Sequence, residues 1–208
     1  MVEVYYYVPS DEVATVVGCG LKLSKWFEKE VMIADELRKC LSALLNPKDD
    51  IIKYRSNSLK CVKLELLPNY CYIADSCLYQ VGLNDPGIMQ LYLNSIVPVE
   101  SYIFGSYRVP ECLITSTVIG DSISILDKRL DSPVLFDNSE ELYINNIIGI
   151  YNEQHSDFND AMLYNFYCKL TEIGRVDKIE DIIRKIAIFV DKRNGKAFTS
   201  RIPHMEKY

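Results

Sequence analysis

A chain of 208 residues is sized for one domain, or one domain with a helical annex. Hydrophobic residues at 49% and charged residues at 25% exclude a disordered chain. A net charge of −6 excludes nucleic-acid binding through bulk charge, although Lys22, Lys25, Lys48, Lys53, Arg55 and Lys60 could still form a local basic groove.

Val2 to Val8 is a run of β-formers and predicts the first strand, ended by Pro9. Ser10-Asp11-Glu12 predicts a helix start, with Val13, Val16 and Val17 as the inward stripe. Gly18-Cys19-Gly20 predicts its stop, and Leu21-Lys22-Leu23 begins an extended piece. Ser24 to Leu45 reads as mostly helical, because Glu36, Leu37, Cys40, Leu41 and Leu44 recur at helical spacing. Asn46-Pro47-Lys48-Asp49-Asp50 predicts a turn. Cys61 to Leu67 alternates apolar and charged residues as a half-buried strand does, and Tyr70 to Ala74 predicts the next strand. Cys77 to Val81 and Gly87 to Asn94 surround the turn Asn84-Asp85-Pro86-Gly87, and the second fits a helix.

Tyr102 to Thr115 reads as an aromatic, glycine-containing loop running into a short strand. Val109, Leu113 and Ile114 give that strand a buried face, and Glu111 stands at its mouth beside Arg108. Leu113 to Val118 and Ser122 to Leu126 flank Gly120-Asp121, either as a hairpin or as a strand and a loop. Asp127 to Asp137 is charged and contains Pro133. Ser139-Glu140-Glu141 predicts the start of a helix carrying Leu142, Ile144, Ile147 and Ile148. Asp157 to Ile173 and Lys178 to Val190 predict two further helices joined through Gly174. The second has Ile179, Ile182, Ile183 and Ile186 on one face. From about Asn194 onward the chain reads as a weakly held tail. Strands and short helices followed by helices make an α+β class. No glycine-rich dinucleotide loop or Walker-type loop follows a strand.

Seven cysteines, an odd number with no Cys-x-x-Cys pair, predict free, largely buried thiols in a reducing cytoplasm. No basic region followed by an apolar run opens the chain, and no stretch of about 18 apolar residues occurs. Neither a signal peptide nor a membrane span is expected. The two histidines, His155 and His204, adjoin no nucleophile motif, and zinc-ligand spacing is absent. The pairs Asp49-Asp50 and Glu140-Glu141 are adjacent in sequence, so their side chains diverge and neither forms a dyad. Glu111 remains as the candidate carboxylate. It can be an ion-pair member at a strand end, a proton acceptor, or a group that binds sugar hydroxyls and stabilises a ribosyl cation.

Three segments then carry a resemblance. They are Val4-Tyr5-Tyr6-Tyr7-Val8-Pro9-Ser10-Asp11 through Gly20-Leu21, Leu44-Leu45-Asn46-Pro47-Lys48-Asp49, and Tyr107-Arg108-Val109-Pro110-Glu111-Cys112-Leu113-Ile114. In order and spacing, over roughly residues 2 to 150, the chain resembles the ADP-ribosyltransferases, and in particular the DarT-like transferases that modify DNA bases. The resemblance implies a split mixed β-sheet over residues 1–150 and a helical C-terminal extension, 151–208, packed on it. It also implies transfer of ADP-ribose from NAD to a macromolecule, a nucleobase in DNA. Glu111 would be catalytic; Tyr7, Ser10, Asp11, Gly20, Leu21 and Asn46 would hold NAD; Tyr102, Phe104, Tyr107 and Arg108 would face the acceptor. The family's histidine at the end of the first strand has no counterpart near Val8 and Pro9, and Leu44-Leu45 replaces its aromatic residue. The missing histidine motivates a second reading, an inactive binding or regulatory module with a protein or nucleic-acid partner.

Overall fold

A computed structural model describes residues 1–126 and 137–203. In chain order it contains β1 (Val2–Pro9), α1 (Val13–Cys19), α2 (Leu23–Trp26), β2 (Lys29–Ile33) and β3 (Glu36–Leu44). A 3-10 turn, Pro47–Asp49, leads to α3 (Ile51–Arg55), β4 (Leu59–Leu66), β5 (Cys71–Asp75), α4 (Ser76–Gly82) and α5 (Pro86–Ser95). Then come β6 (Val97–Pro98), β7 (Pro110–Ile114), β8 (Ile123–Ile125), α6 (Ser139–Gln154), α7 (Phe158–Glu172), β9 (Val176–Asp181), β10 (Ile186–Asp191) and β11 (Ala197–Arg201). The class is α+β. Of the charged stretch Asp127 to Asp137, all but Asp137 lies outside the described residues, as does His204. The chain divides into two units, Met1–Asn146 and Ile147–Tyr208, with the boundary inside α6.

The first unit is built on one sheet of order β6-β5-β7-β3-β1-β4-β8, with β2 paired to β3. Strand alternation sorts its side chains onto two faces. Val4, Tyr6 and Val8 of β1 join Leu41, Ala43, Val62, Leu64, Cys112 and Ile114 beneath Val13 and Val16 of α1. On the other face Val31, Ile33, Cys40, Ala74 and Leu113 pack with Tyr92 of α5. The centre of the sheet is therefore buried on both sides, and every residue of β7 is buried. Gly20 closes α1 with φ of 82°, and a Cβ there would lie 2.2 Å from the Val118 carbonyl oxygen. Only glycine fits that bend.

Two expected helices are hairpins. Ser24 to Leu45 contains one short helix, α2, followed by β2 and β3, which pair from Lys29↔Cys40 to Ile33↔Glu36. The two-residue turn is Ala34-Asp35, with φ of 52° and 63°. Positive φ at both positions gives the twist a tight hairpin needs. The helical spacing was accidental: Leu37 is exposed, while Cys40 and Leu41 belong to opposite faces of the sheet. A strand buried on both faces loses its alternation, so its period resembles a helix.

Lys178 to Val190 is likewise β9 and β10, turned through Lys185 at φ of 57°. Its buried side chains are Ala187 and Phe189, while Ile179, Ile182, Ile183 and Ile186 are exposed. The expected tail supplies β11, which pairs with β10. The C-terminal unit therefore carries helices and a three-stranded sheet of order β11-β10-β9, not helices alone. Its core sets Phe189 against Tyr167 of α7, with ring centroids 5.1 Å apart. Gly120-Asp121 joins no hairpin, because β7 pairs with β3 and β5 whereas β8 pairs with β4. Every strand pairing among the described residues is antiparallel, where a mixed sheet was expected. No disulfide joins the cysteines, and no described helix is long and apolar enough to cross a membrane.

The hairpin can be tested by the sign of one substitution. In a left-handed turn position, Ala34→Gly should stabilise the protein by about 1 kcal/mol, since a non-glycine residue there is strained. In a helix interior the same change would cost about 1 kcal/mol. Urea unfolding distinguishes the two, and a lowered midpoint contradicts the turn.

Candidate functional site

Glu111 is the one charged residue of β7, and it is only 2% exposed. Its register partners are Leu44 on β3 and Ala74 on β5, so it sits between two strands rather than at an edge. Alternation sends Cys112 to the α1 face and Glu111 to the face covered by α5. A carboxylate this deep requires partners. Lys29 Nζ, from β2, donates to both oxygens at 2.7 and 2.6 Å. Ser42 Oγ, from β3, donates to Oε2, and the Tyr92 hydroxyl, from α5, donates to Oε1 at 3.1 Å. Four hydrogen bonds fill the roughly four lone-pair sites a carboxylate has. The Lys29 ammonium also lies over the Tyr79 ring, 3.8 Å from its centroid, with the Tyr92 ring at 5.7 Å.

A cleft of about 500 Å³ opens onto this group. Tyr5 and Tyr7 of β1, Ser42 and Leu44 of β3, and Glu111 supply strand residues to its lining. Tyr79, Gln80 and Leu83 line it from α4 and the residue after it, while Asp49, Asp50, Ile51, Ile52 and Lys53 line it from the 3-10 turn and α3. The turn is fixed by a capping box. Asn46 Oδ1 accepts from the Lys48 amide at 2.9 Å, and Asp49 Oδ2 accepts from the Asn46 amide at 3.1 Å. Asp49 also accepts from the Ser139 amide and hydroxyl, both at 2.7 Å, which ties the start of α6 to the turn. The Tyr7 hydroxyl donates to the Pro47 carbonyl at 2.7 Å.

Burial governs the titration of these groups. It pushes the Asp49 carboxyl up, against the hydrogen bonds from Ser139 and Asn46. It raises the Tyr92 phenol, and the neighbouring Glu111 charge adds to the shift. Cys40 is pushed up to about 11, first by burial and then by the Glu111 charge.

Of the candidate residues, Glu111 and Tyr7 share the cleft, and Asn46 holds the turn whose next residues line it. Ser10 donates to the Asn57 carbonyl at 3.3 Å and Asp11 is exposed; neither lines the cleft. Leu21 is buried in the α1-face core, bonded to Val118, and Gly20 precedes it there. Arg108 is not the cation beside Glu111: its Nε donates to Glu140 at 2.7 Å. Tyr102 packs against Phe104 and Tyr107, with centroids 5.6 and 5.3 Å away, and the Tyr107 hydroxyl donates to the Ser95 carbonyl. These four loop residues are not among the lining of the cleft, and Phe104 is exposed. The basic residues of the first part are in part neutralised, Lys25 by Glu12 and Lys48 by Asp137, both at 2.6 Å.

Sequence reasoning missed Lys29, Ser42, Tyr79 and Tyr92. Lys29 and Ser42 were hidden because their strands read as a helix, and no local signal marks the two tyrosines. Among the described residues no group of three His, Cys, Asp or Glu side chains could hold a metal ion. No protein-family model matches the chain, and neither a curated protein nor a solved structure does.

The ion pair yields a stability prediction. Lys29→Met should cost about 3–5 kcal/mol, because it leaves a buried carboxylate unpaired. Lys29→Met with Glu111→Leu should regain most of that loss. Urea unfolding of the two single variants and the double variant measures the coupling. A cost below about 1 kcal/mol would mean that the pair behaves as an exposed one.

Proposed function

We propose that the chain transfers ADP-ribose from NAD to a macromolecular acceptor, a nucleobase, with Glu111 as the catalytic carboxylate. The observation that carries this reading is the position of Glu111 in a cleft that also includes the tyrosines of β1. The ADP-ribosyltransferase resemblance assigns NAD to that place, between the first strand and the glutamate strand. The proposal includes the fold type, a sheet of the ADP-ribosyltransferase kind, and a reducing cytoplasm as the setting. A cleft of about 500 Å³ is within the size range of small-molecule sites. Tyr5 and Tyr7 would offer aromatic surface to the ligand, and Lys53 would offer a cation to the pyrophosphate.

The chemistry asked of Glu111 is electrostatic. The bond between the ribose C1′ and nicotinamide breaks, and nicotinamide leaves with the electron pair. Positive charge develops on C1′, where a fixed carboxylate lowers the barrier. The acceptor forms the new bond to C1′, and its proton passes to Glu111. Phe104 and Arg108, the two more exposed of the four candidate loop residues, are the acceptor-side residues of this scheme. Stacking on a base and pairing with a phosphate suit those side chains.

One observation favours a second reading. The Glu111 carboxylate already holds four hydrogen bonds, and among the described residues no histidine lines the cleft. A site in that state suits a module that binds a ligand or partner without turnover.

Nicotinamide release from NAD separates the readings, measured with single-stranded DNA, duplex DNA, RNA and protein as acceptors. The transferase reading expects turnover that falls by about 100-fold or more in Glu111→Gln, the equivalent of about 3 kcal/mol of barrier. Turnover unchanged in that variant would remove Glu111 from the chemistry. NAD binding without release in wild-type protein supports the binding module, and neither binding nor release ends the NAD reading.

A further inference from the structure

The cation at the proposed catalytic carboxylate belongs to the chain itself. Lys29 Nζ touches both oxygens of Glu111 and lies 3.8 Å from the Tyr79 ring centroid and 5.7 Å from that of Tyr92. The two rings support one another, with centroids 5.0 Å apart and planes tilted by 59°. A carboxylate combined with aromatic faces is the chemistry that receives organic cations. The group is not sealed in the core: Lys29, Ser42, Tyr79 and Glu111 all line the cleft, and the Lys29 side chain is 11% exposed. A structural ion pair needs the two charges. It needs neither the ring faces nor an opening onto a ligand-sized cleft.

We infer that Glu111 and Tyr79, where they line the cleft, form a cation subsite, that Lys29 occupies it as a tethered competitor, and that a cationic ring of the ligand takes it when Lys29 leaves. Naming that ring as the pyridinium of oxidised NAD rests on the function proposed above. Lysine is suited to the competitor role, because its ammonium is a point charge on a flexible four-carbon stem. Two cations repel one another at a single carboxylate, so occupancy is exclusive. While Lys29 stays, its charge opposes the charge that develops on the ribose C1′. Lys29 then sets two properties of the cleft, its preference for charged over neutral rings and its resting activity.

The test compares wild-type protein with Lys29→Met, Lys29→Gln and Lys29→Arg, each with a melting curve. The probes are 1-methylnicotinamide, a cation, and nicotinamide, its neutral counterpart, titrated by calorimetry or NMR. Lys29→Met should bind 1-methylnicotinamide about tenfold more tightly than wild type, equivalent to about 1.4 kcal/mol, with nicotinamide changed by less than about threefold. Lys29→Gln, which keeps a donor for Glu111, should do the same and serves if the methionine variant does not fold. Lys29→Arg keeps the charge and should match wild type. Equal changes for both probes, or no change in the neutral variants, would overturn the inference. NAD and NADH added to the same proteins separate this result from the proposed function. If the neutral variants gain 1-methylnicotinamide but no protein binds NAD, the subsite stands and the NAD reading falls. If NAD binds and NADH matches it in every variant, the NAD reading stands and the subsite is overturned.

Discussion

A carboxylate held 2% exposed at the centre of a sheet is the constraint on which the rest of the first unit depends. Desolvating it costs several kcal/mol, which only close, well-aligned partners offset. Those partners come from three different elements, Lys29 on β2, Ser42 on β3 and Tyr92 on α5. Folding must therefore bring the β2–β3 hairpin and α5 to the glutamate together. An apolar residue of similar volume in place of such a pair is often neutral or stabilising. Stability alone is thus a weak reason for a charge at position 111, and the cleft that opens onto it supplies a stronger one.

The two faces of the sheet divide the work. The α1 face is a core mainly of valine, leucine and isoleucine, with Leu21, Tyr6 and Tyr102 within it. The other face mixes a smaller apolar cluster with the Glu111 group, so polarity is concentrated where the cleft lies. Side-chain hydrogen bonds fix the borders of that region. Asp49 caps its own turn and holds Ser139, while Tyr7 reaches across to Pro47. The cleft is thereby framed by residues whose side chains are already committed to the fold. Glu111 and Lys29, also part of the cleft lining, are bonded to each other.

Much of the architecture was legible wherever one local rule dominated. β1 announces itself through β-formers ended by proline, the Asn46 turn through its Asx and proline residues, and α1 through the glycines that close it. Glu111 stood out as a carboxylate at the mouth of an apolar strand, left once the adjacent acidic pairs were set aside. The β2–β3 hairpin was not legible, because Ala34-Asp35 lacks the glycine that marks such turns and β3 is buried on both faces only from Cys40 onward. β9 and β10 were lost in the same way, to isoleucines that sit at helical spacing yet are exposed. The glutamate could therefore be found from sequence, but its lysine, serine and tyrosine could not. They are brought to it by strand register and by a helix remote in sequence, and neither leaves a local trace.

The most direct measurement is a crystal structure of the full chain soaked with NAD at saturating concentration. The account predicts the dinucleotide in the cleft beside Tyr5 and Tyr7, with a nicotinamide-ribose hydroxyl about 3 Å from the Glu111 carboxylate and the Lys29 ammonium displaced from it. NAD bound away from this cleft, or a cleft without NAD in which the Lys29–Glu111 pair is unchanged, would contradict it.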